Sequence, residues 1–282
     1  MNSFMSWVGG KMKLRDVIIE RFPASFETYA EPFCGAAWVF FRKPRGKIEV
    51  LNDMNNNLAN LYWHVQENAD ALQDRLRYAV DCEAVFYRIR DMLKSGETPD
   101  DLTRAAWYYQ LLRFSYGSKA SSYNGRGHDI WRDFPAITGA HHRLRGVGIH
   151  NKEFEHFIRL VDADDTFFYC DPPYWGTEDY YDGVKFEMPD HTRLRDLLFS
   201  IDGYFLLSYN DCPEVRDLYE NRGLFIEEVS RLDNLRQFSV AGSTYPELLI
   251  SNYDPKENGA TPLQMGLFEM GGTMHEYENR TN

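Results

Sequence analysis

The feature that most constrains the fold is an alternation of short strands and helices that stops once and then resumes. A strand is expected around residues 26–31, the small-residue turn EPFCGAA follows it, and residues 47–52 are typical of a second strand that ends at Asp53. Strand, tight turn, helix and strand in this order favour a parallel sheet. The rhythm returns at residues 165–170, and the chain is therefore predicted to be an α/β protein.

The interruption separates segments of different character. Residues 70–115 are strongly helical, whereas residues 116–140 are rich in Gly, Ser and aromatic residues and have no clear period. A strand expected at 203–209 and two further apolar stretches, at 223–229 and 247–253, bring the expected sheet to six or more strands. The predicted division is a sheet domain at 1–67 and 147–253, a helical, loop-rich inserted module at 68–146, and a flexible tail at 254–282.

Composition limits the class of protein. No apolar run reaches the roughly 18 residues that a membrane span needs, and no signal-peptide core is present. Four cysteines are scattered without a C-x-x-C pair, which is typical of reduced thiols and speaks against a zinc site. We expect a cytoplasmic protein with no membrane segment and no metal. The cysteines are Cys34, Cys82, Cys170 and Cys212.

The net charge of −12 argues against a nucleic-acid-binding protein, because such proteins are usually basic. Net charge is a global sum, however, and DNA meets only one face of a protein. Residues 113–145 contain six Arg or Lys residues against two Asp residues, with three histidines between them. The global charge therefore weakens a DNA-binding interpretation without excluding it.

The turn at residues 31–37 is a candidate ligand site. Its small residues allow a ligand to approach the backbone at the carboxyl end of a strand, where α/β sheets bind their ligands. Asp53 ends the next strand, and an acid at that point accepts hydrogen bonds from ribose hydroxyls. The same geometry serves dinucleotides, but the G-x-G-x-x-G pattern is absent. A turn that only permits close packing is the alternative.

The tetrapeptide Asp171-Pro172-Pro173-Tyr174 follows the strand at 165–170 and carries a sharper chemical signal. An amine conjugated to a purine ring is a poor nucleophile, and a carboxylate with a carbonyl beside it can accept its hydrogens and localise its lone pair. The two prolines fix the backbone. Tyr174 offers a ring on which an extruded base could stack. The alternative is an ordinary proline turn.

Several motifs, in their order along the chain, resemble those of the Dam-type family of DNA adenine methyltransferases, and the match runs from about residue 6 to residue 253. Ala37 departs from the pattern, because the family usually has glycine there and alanine disfavours a positive φ. The motifs are W-x-G-G-K at 7–11, E-P-F-x-G-x-G at 31–37, the ribose-binding acid at Asp53, the segment before the catalytic strand at 147–154, D-P-P-Y at 171–174, and later segments at 186–194 and 247–250.

The resemblance implies a Rossmann-like fold with a mixed sheet and helices on both faces. It implies transfer of a methyl group from S-adenosylmethionine (SAM) to the N6 amine of adenine in double-stranded DNA. No metal is implied, because the sulfonium of SAM is already activated. The residues it assigns to SAM are Trp7, Gly10, Lys11, Glu31, Phe33, Gly35, Ala37 and Asp53, and those it assigns to catalysis are Asp171, Pro172, Pro173 and Tyr174.

The inserted module corresponds to the part of the family that recognises the target sequence. Cationic, aromatic and amide side chains suit the anchoring of phosphates and the reading of base edges, although an ordinary solvated loop would contain similar residues. The DNA-binding candidates are Arg113, Tyr116, Ser118, Lys119, Tyr123, Asn124 and Arg126. Rival hypotheses are methylation of cytosine, RNA or a protein amide, and a DNA-binding protein that has lost its activity.

Residues 264–268, Gln-Met-Gly-Leu-Phe, form a separate motif within the tail. They resemble the Q-x-x-L-F peptide that bacterial replication proteins insert into the sliding clamp, where Leu and Phe fill an apolar pocket. The alternative is a tail that packs back onto its own domain. The sliding clamp is therefore predicted as a second partner, alongside DNA.

Overall fold

Seven strands form one mixed sheet in the computed structural model, which describes residues 1–178, 186–232 and 244–256. The strand order is β3-β2-β1-β4-β5-β7-β6; the first five strands are parallel, and β7 runs antiparallel to both β5 and β6. The strands are β1 Thr28–Glu31, β2 Ile48–Asn52, β3 Gly148–His150, β4 Thr166–Cys170, β5 Tyr204–Asn210, β6 Phe225–Leu232 and β7 Thr244–Ser251.

Helices cover both faces of this sheet. Every residue of β4 is buried, as is typical of a central parallel strand. Phe167 belongs to one hydrophobic cluster and its neighbour Phe168 to another, because successive side chains of a strand point to opposite faces. The helices are α1 Arg15–Ile19, α2 Trp38–Arg42, α3 Asn56–Leu76, α4 Glu83–Ser95, α5 Asp101–Phe114, α6 Phe134–Leu144, α7 Phe154–Val161, α8 Met188–Leu198 and α9 Pro213–Tyr219. The predicted α/β sheet with helices on both faces is confirmed.

The inserted module leaves the sheet domain through α3. The sequence after Asp53 predicts a helix over residues 55–67, whereas α3 continues to Leu76 and is kinked by non-helical backbone angles at Asn68 (φ −151°, ψ 65°). The kink coincides with the predicted boundary between residues 67 and 68. One hydrophobic cluster contains Phe86 and Ile137 of the module together with Tyr29 and Phe167 of the sheet. The module and the sheet therefore share a core, and the division into domains stays a prediction.

Local elements differ from the sequence-based expectation in two places. The helical spacing of Val17, Ile18 and Phe22 predicts a helix over residues 12–22, but the observed helix is limited to α1. Arg21 and Phe22 donate to the carbonyls three residues earlier and so tighten its end. The three-residue strand β3 was not expected at all; it extends the sheet beyond β2 at an edge. Among the helices in the described part of the chain, none combines the length and the apolar character that a bilayer crossing requires.

A buried cluster of three charges joins the inserted module to the sheet. Arg143 of α6 donates two hydrogen bonds to the Glu49 carboxylate of β2, at 2.6 and 2.8 Å, and a third to the carbonyl of Phe40 in α2 at 3.1 Å. Lys43 pairs with the same carboxylate, and neither side chain of that pair is more than 3% exposed. One carboxylate therefore neutralises two buried cations.

Glu49→Gln is expected to lower the free energy of unfolding by about 3–5 kcal/mol, because it leaves two cations buried without their counter-charge. Chemical denaturation monitored by circular dichroism measures the change. Asp16→Asn is the matched control: its ion pair with Arg42 lies on the surface, with side chains 58% and 47% exposed, and its loss should cost less than about 1 kcal/mol. Equal effects of the two substitutions would contradict the assigned role of the cluster.

Candidate active site

A cavity of about 740 Å³ opens at the carboxyl ends of β1, β2 and β4. The turn after β1, Asp53 after β2 and Asp171 after β4 all line it. Parallel strands end at the same edge of a sheet, which is why residues far apart in sequence meet here. All eight residues that the sequence assigns to SAM line this one cavity.

The turn at residues 31–37 needs its glycine for two reasons. Gly35 has a φ of 47°, in the left-handed region, and a Cβ added to it would lie 2.8 Å from Nε1 of Trp7. Its N–H donates to Asp53 Oδ2 at 3.0 Å, and its carbonyl accepts from the Tyr62 hydroxyl at 2.8 Å. The turn is thus fixed between the Trp7 ring and the end of β2.

Ala37 takes a left-handed conformation although it carries a Cβ. Its angles are φ 49° and ψ 44°, and it stands at the N-cap of α2 with no side-chain cap of its own. The Glu31 carboxylate replaces the missing cap, because its Oε1 accepts from the Phe40 N–H at 3.0 Å. An L-residue in this region is destabilised by roughly 1–2 kcal/mol, so the turn carries local strain.

Two acids in the cavity wall have raised pKa values. Burial raises the pKa of Asp53 to about 6, although the N–H groups of Gly35 and Asn55 donate to its carboxylate. Burial raises the pKa of Glu31 to about 8, against the opposing effect of a 2.6 Å hydrogen bond from the Tyr29 hydroxyl. Each Asp53 oxygen accepts one N–H, and a carboxylate has further acceptor positions for hydroxyl groups.

Lys11 joins the N-terminal W-x-G-G-K motif to the D-P-P-Y motif at residues 171–174. Its Nζ lies 2.5 Å from Oδ1 of Asp171, 160 residues away, and only 3% of its side chain is exposed. The same Nζ donates to the Gly9 carbonyl at 3.2 Å and lies 4.7 Å from the centre of the Tyr174 ring. Asp171 and Pro173 line the cavity. A buried cation thus orients the carboxylate at the cavity wall.

Tyr174 is placed behind the cavity wall, with 7% of its surface exposed. Its hydroxyl donates to Glu247 Oε2 at 3.1 Å and lies 3.1 Å from the Ser208 hydroxyl. The Tyr209 ring stacks on it with a centroid distance of 5.6 Å. Neither Tyr174 nor Pro172 is among the cavity-lining residues, and stacking of a base on Tyr174 stays a prediction.

Aromatic residues that the sequence did not single out as SAM or catalytic residues form part of the cavity wall. Phe186 and Phe154 line the cavity beside Phe33, with ring centroids 5.5–5.9 Å apart in the three pairs. Phe154 and Phe186 were noted only within segments of the family resemblance. His191 is fully buried next to them: its Nε2 lies 2.9 Å from Glu178 Oε1, and burial lowers its pKa.

The DNA-binding candidates of the module divide into two groups. Ser118 and Lys119 line the cavity, whereas the other five do not. Tyr116 is exposed at the surface of the module, at 45%. Arg113 instead forms a bidentate ion pair with the buried carboxylate of Asp133, with distances of 2.7 and 2.8 Å.

The loop that carries the remaining candidates is held by its own hydrogen bonds. The Asn124 side chain donates to the Ser115 carbonyl at 3.3 Å and accepts from the Arg126 N–H at 2.9 Å. The Tyr123 ring packs against Phe86 at 5.7 Å. Three further cations that the sequence did not single out, Arg90, Lys94 and Arg104, line the cavity from α4 and α5. Arg90 and Lys94 are four residues apart in α4 and therefore lie on one helix face. This spacing is the sequence signal that could have identified them.

The fold and the cavity together define a class of protein. A parallel sheet with an antiparallel last strand inserted next to β5, an acid after β2 and a glycine turn after β1 are the features of the SAM-dependent α/β methyltransferases. Comparison with known proteins narrows this class to one family. Residues 7–236 match the model of the D12 class N6 adenine-specific DNA methyltransferases.

Curated relatives agree with this match. The chain is 24% identical to the type II methyltransferase M1.LlaDCHI of Lactococcus lactis subsp. cremoris, over 90% of this chain and 96% of the relative. It is 25% identical to a DNA adenine methylase of Haemophilus influenzae, over 77% and 82% of the two chains. It is 26% identical to a DNA adenine methylase of Escherichia coli K12, over 81% and 88%.

The chain therefore belongs to the family of D12 class N6 adenine-specific DNA methyltransferases. The predicted resemblance, the methyltransferase fold and the activity on adenine in DNA are confirmed. Cytosine, RNA and protein are accordingly set aside as the principal acceptors. The family implies SAM as the methyl donor and DNA as the substrate.

Gly35→Ala is expected to destabilise the protein by more than the roughly 1–2 kcal/mol of a left-handed alanine, because its methyl group would also press on the Trp7 ring. Gly223→Ala is the matched control, since Gly223 has a φ of 76° with nothing within 4 Å of an added Cβ. Thermal and urea unfolding of both variants measure the difference. Equal losses would show that the Trp7 contact is not constraining.

Proposed function

We propose that the protein methylates the N6 amine of adenine at a specific short sequence in double-stranded DNA, with SAM in the cavity and the amine facing Asp171. The observation that carries this proposal is the Lys11–Asp171 pair at the wall of the same cavity that the glycine turn and Asp53 line. The donor site and the acceptor group thus lie within one space.

The residues present fit SAM. Gly35 lines the cavity without a side chain, and Asp53 beside it offers acceptor positions to ribose hydroxyls. The cavity volume of about 740 Å³ lies within the range of small-molecule sites. When bound, SAM supplies a methyl group activated by its sulfonium. We propose that Trp7, Gly10, Lys11, Glu31, Phe33, Gly35, Ala37 and Asp53 form its site.

Asp171 and the Pro172 carbonyl are proposed to accept hydrogen bonds from the two N–H groups of the adenine amine. Bonds to these acceptors favour the pyramidal form of the amine, whose lone pair is localised. The amine nitrogen gains positive charge as it is methylated, the Asp171 carboxylate stabilises that charge, and the nitrogen then releases one proton to solvent. Lys11 holds the carboxylate in place, and Pro172 with Pro173 keeps the backbone from reorganising.

The module at 68–146 is proposed to bind the DNA. An adenine inside a duplex is out of reach of the site, so it must be extruded, at a cost of a few kcal/mol. Lys119 lies at the cavity itself, and Tyr116 and Arg126 are exposed on the same loop. In this conformation Arg113 and Asn124 support the loop through Asp133 and Ser115, so their proposed contacts with DNA would require a change of partners.

The experiment that tests this proposal incubates the protein with SAM and unmethylated duplex DNA and maps methylated bases by single-molecule sequencing. Methyladenine at one recurring short sequence is expected. Asp171→Ala should reduce turnover by at least about a hundredfold, because the acceptor of the amine hydrogens is lost, while SAM affinity changes little. Calorimetric SAM binding is the control. Unmodified DNA from a wild-type protein that binds SAM, or near-normal turnover of Asp171→Ala, would defeat the mechanism.

A second partner, the bacterial sliding clamp, is proposed from the sequence of Gln264–Phe268, which lies outside the described residues. Clamp-coated beads should retain the wild-type protein, whereas the double substitution Leu267→Ala/Phe268→Ala should abolish retention because it removes both apolar anchors. Methylation of free DNA should be the same for both proteins. Equal retention of the wild-type and variant proteins, or retention of neither, would contradict binding to the sliding clamp.

A further inference from the structure

A fully buried carboxylate lies behind the catalytic motif and has no part in the mechanism above. Glu247, on β7, is 0% exposed, and so is Ser208 on β5. The hydroxyls of Tyr174 and Ser208 both donate to its Oε2, at 3.1 and 3.3 Å. The antiparallel pairing of β5 with β7 sets Glu247 opposite Asn210, two residues from Ser208 along the strand. The last strand of the sheet thus reaches the catalytic motif through one side chain.

Packing alone does not account for a carboxylate at this position. Removal of a charge from water is unfavourable by several kcal/mol, and an apolar or amide side chain would fill the same space without that penalty. Two hydroxyl donors meet on one carboxylate oxygen, and hydrogen bonds to a charged acceptor are stronger than neutral ones. Burial, followed by the charge of Glu247, raises the pKa of Tyr174 well above its usual value, so the hydroxyl keeps its proton and donates.

The contact extends from Glu247 to the site of reaction in three steps. Glu247 holds the Tyr174 hydroxyl, the Lys11 ammonium lies 4.7 Å from the centre of the Tyr174 ring, and Lys11 binds Asp171 at 2.5 Å. A hydrogen bond to a carboxylate makes a phenol ring richer in electrons, and an electron-rich ring attracts a cation more strongly. In this series of contacts the Lys11 ammonium lies between two carboxylates. It binds Asp171 directly, and the Tyr174 ring separates it from Glu247.

We propose that Glu247 is a positioning residue for methyl transfer: through the Tyr174 hydroxyl it fixes the ring against which Lys11 lies, and so sets the place of the Asp171 carboxylate. The inference rests on the proposed function, because it assigns the reaction to Asp171. Glu247 itself is not among the residues that line the cavity. Its loss should therefore lower kcat and leave the binding of SAM nearly unchanged.

The test is a double-mutant cycle between Glu247→Gln and Tyr174→Phe, assayed by methyl transfer to the target duplex. Each single variant is expected to lower kcat by about tenfold, with the KM for SAM within about twofold of wild type. Because Glu247 acts through the hydroxyl, Glu247→Gln should change kcat by less than about twofold in the Tyr174→Phe background. Full independence of the two effects, or an increase in KM that matches the fall in kcat, would overturn the proposal.

Two serines on the paired strands serve as a further comparison. Ser208→Ala removes one donor to Glu247 and should lower kcat by about threefold. Ser251→Ala removes an equally buried hydroxyl, which donates to the Tyr253 carbonyl at 2.7 Å, and should leave kcat unchanged. If Glu247→Gln does not fold, Tyr174→Phe alone tests the role of Glu247, because a wild-type kcat in that variant would contradict the inference. Absence of methyl transfer to adenine by the wild-type protein would contradict the proposed function rather than the role of Glu247.

Discussion

Burial of the sheet on both faces is the constraint on which the rest of the structure depends. Two hydrophobic clusters cover β4 and its neighbours, so mainly apolar side chains line the two faces of the sheet. Chemistry is confined to the carboxyl ends of the strands, where backbone groups and short turns meet water. The neighbouring strands β1, β2 and β4 end at the same edge of the sheet. The glycine turn, Asp53 and Asp171, which follow these strands, therefore line one cavity.

Much of this arrangement could be predicted from local sequence. The turn at 31–37, Asp53 and Asp171 each follow a recognisable strand, and strand ends meet in any parallel sheet. The edge strand β3 escaped prediction because three residues carry too little pattern. The 2.5 Å contact of Lys11 with Asp171 spans 160 residues, and only the folded chain brings the two together. Motif order in the sequence indicated the parts of the site, whereas their contacts depend on tertiary packing.

Alanine in the turn illustrates how local preference and tertiary structure compete. The methyl group of Ala37 was expected to disfavour a positive φ, yet the residue takes a φ of 49°. The Cys34 carbonyl accepts its N–H at 2.6 Å, and Glu31 caps the helix that follows. Surrounding bonds thus hold the backbone in a conformation that the residue alone would avoid.

The shared core of module and sheet has a consequence for how this enzyme can acquire a new target sequence. Arg143 of α6 is bound to Glu49 of the sheet, and Phe86 and Ile137 belong to the same cluster as Tyr29. Exchange of the whole module for that of a relative would break this cluster and expose its ion pairs. Under the proposed function, a change of target sequence would be least disruptive through point changes at exposed side chains of the surface loop near Tyr116.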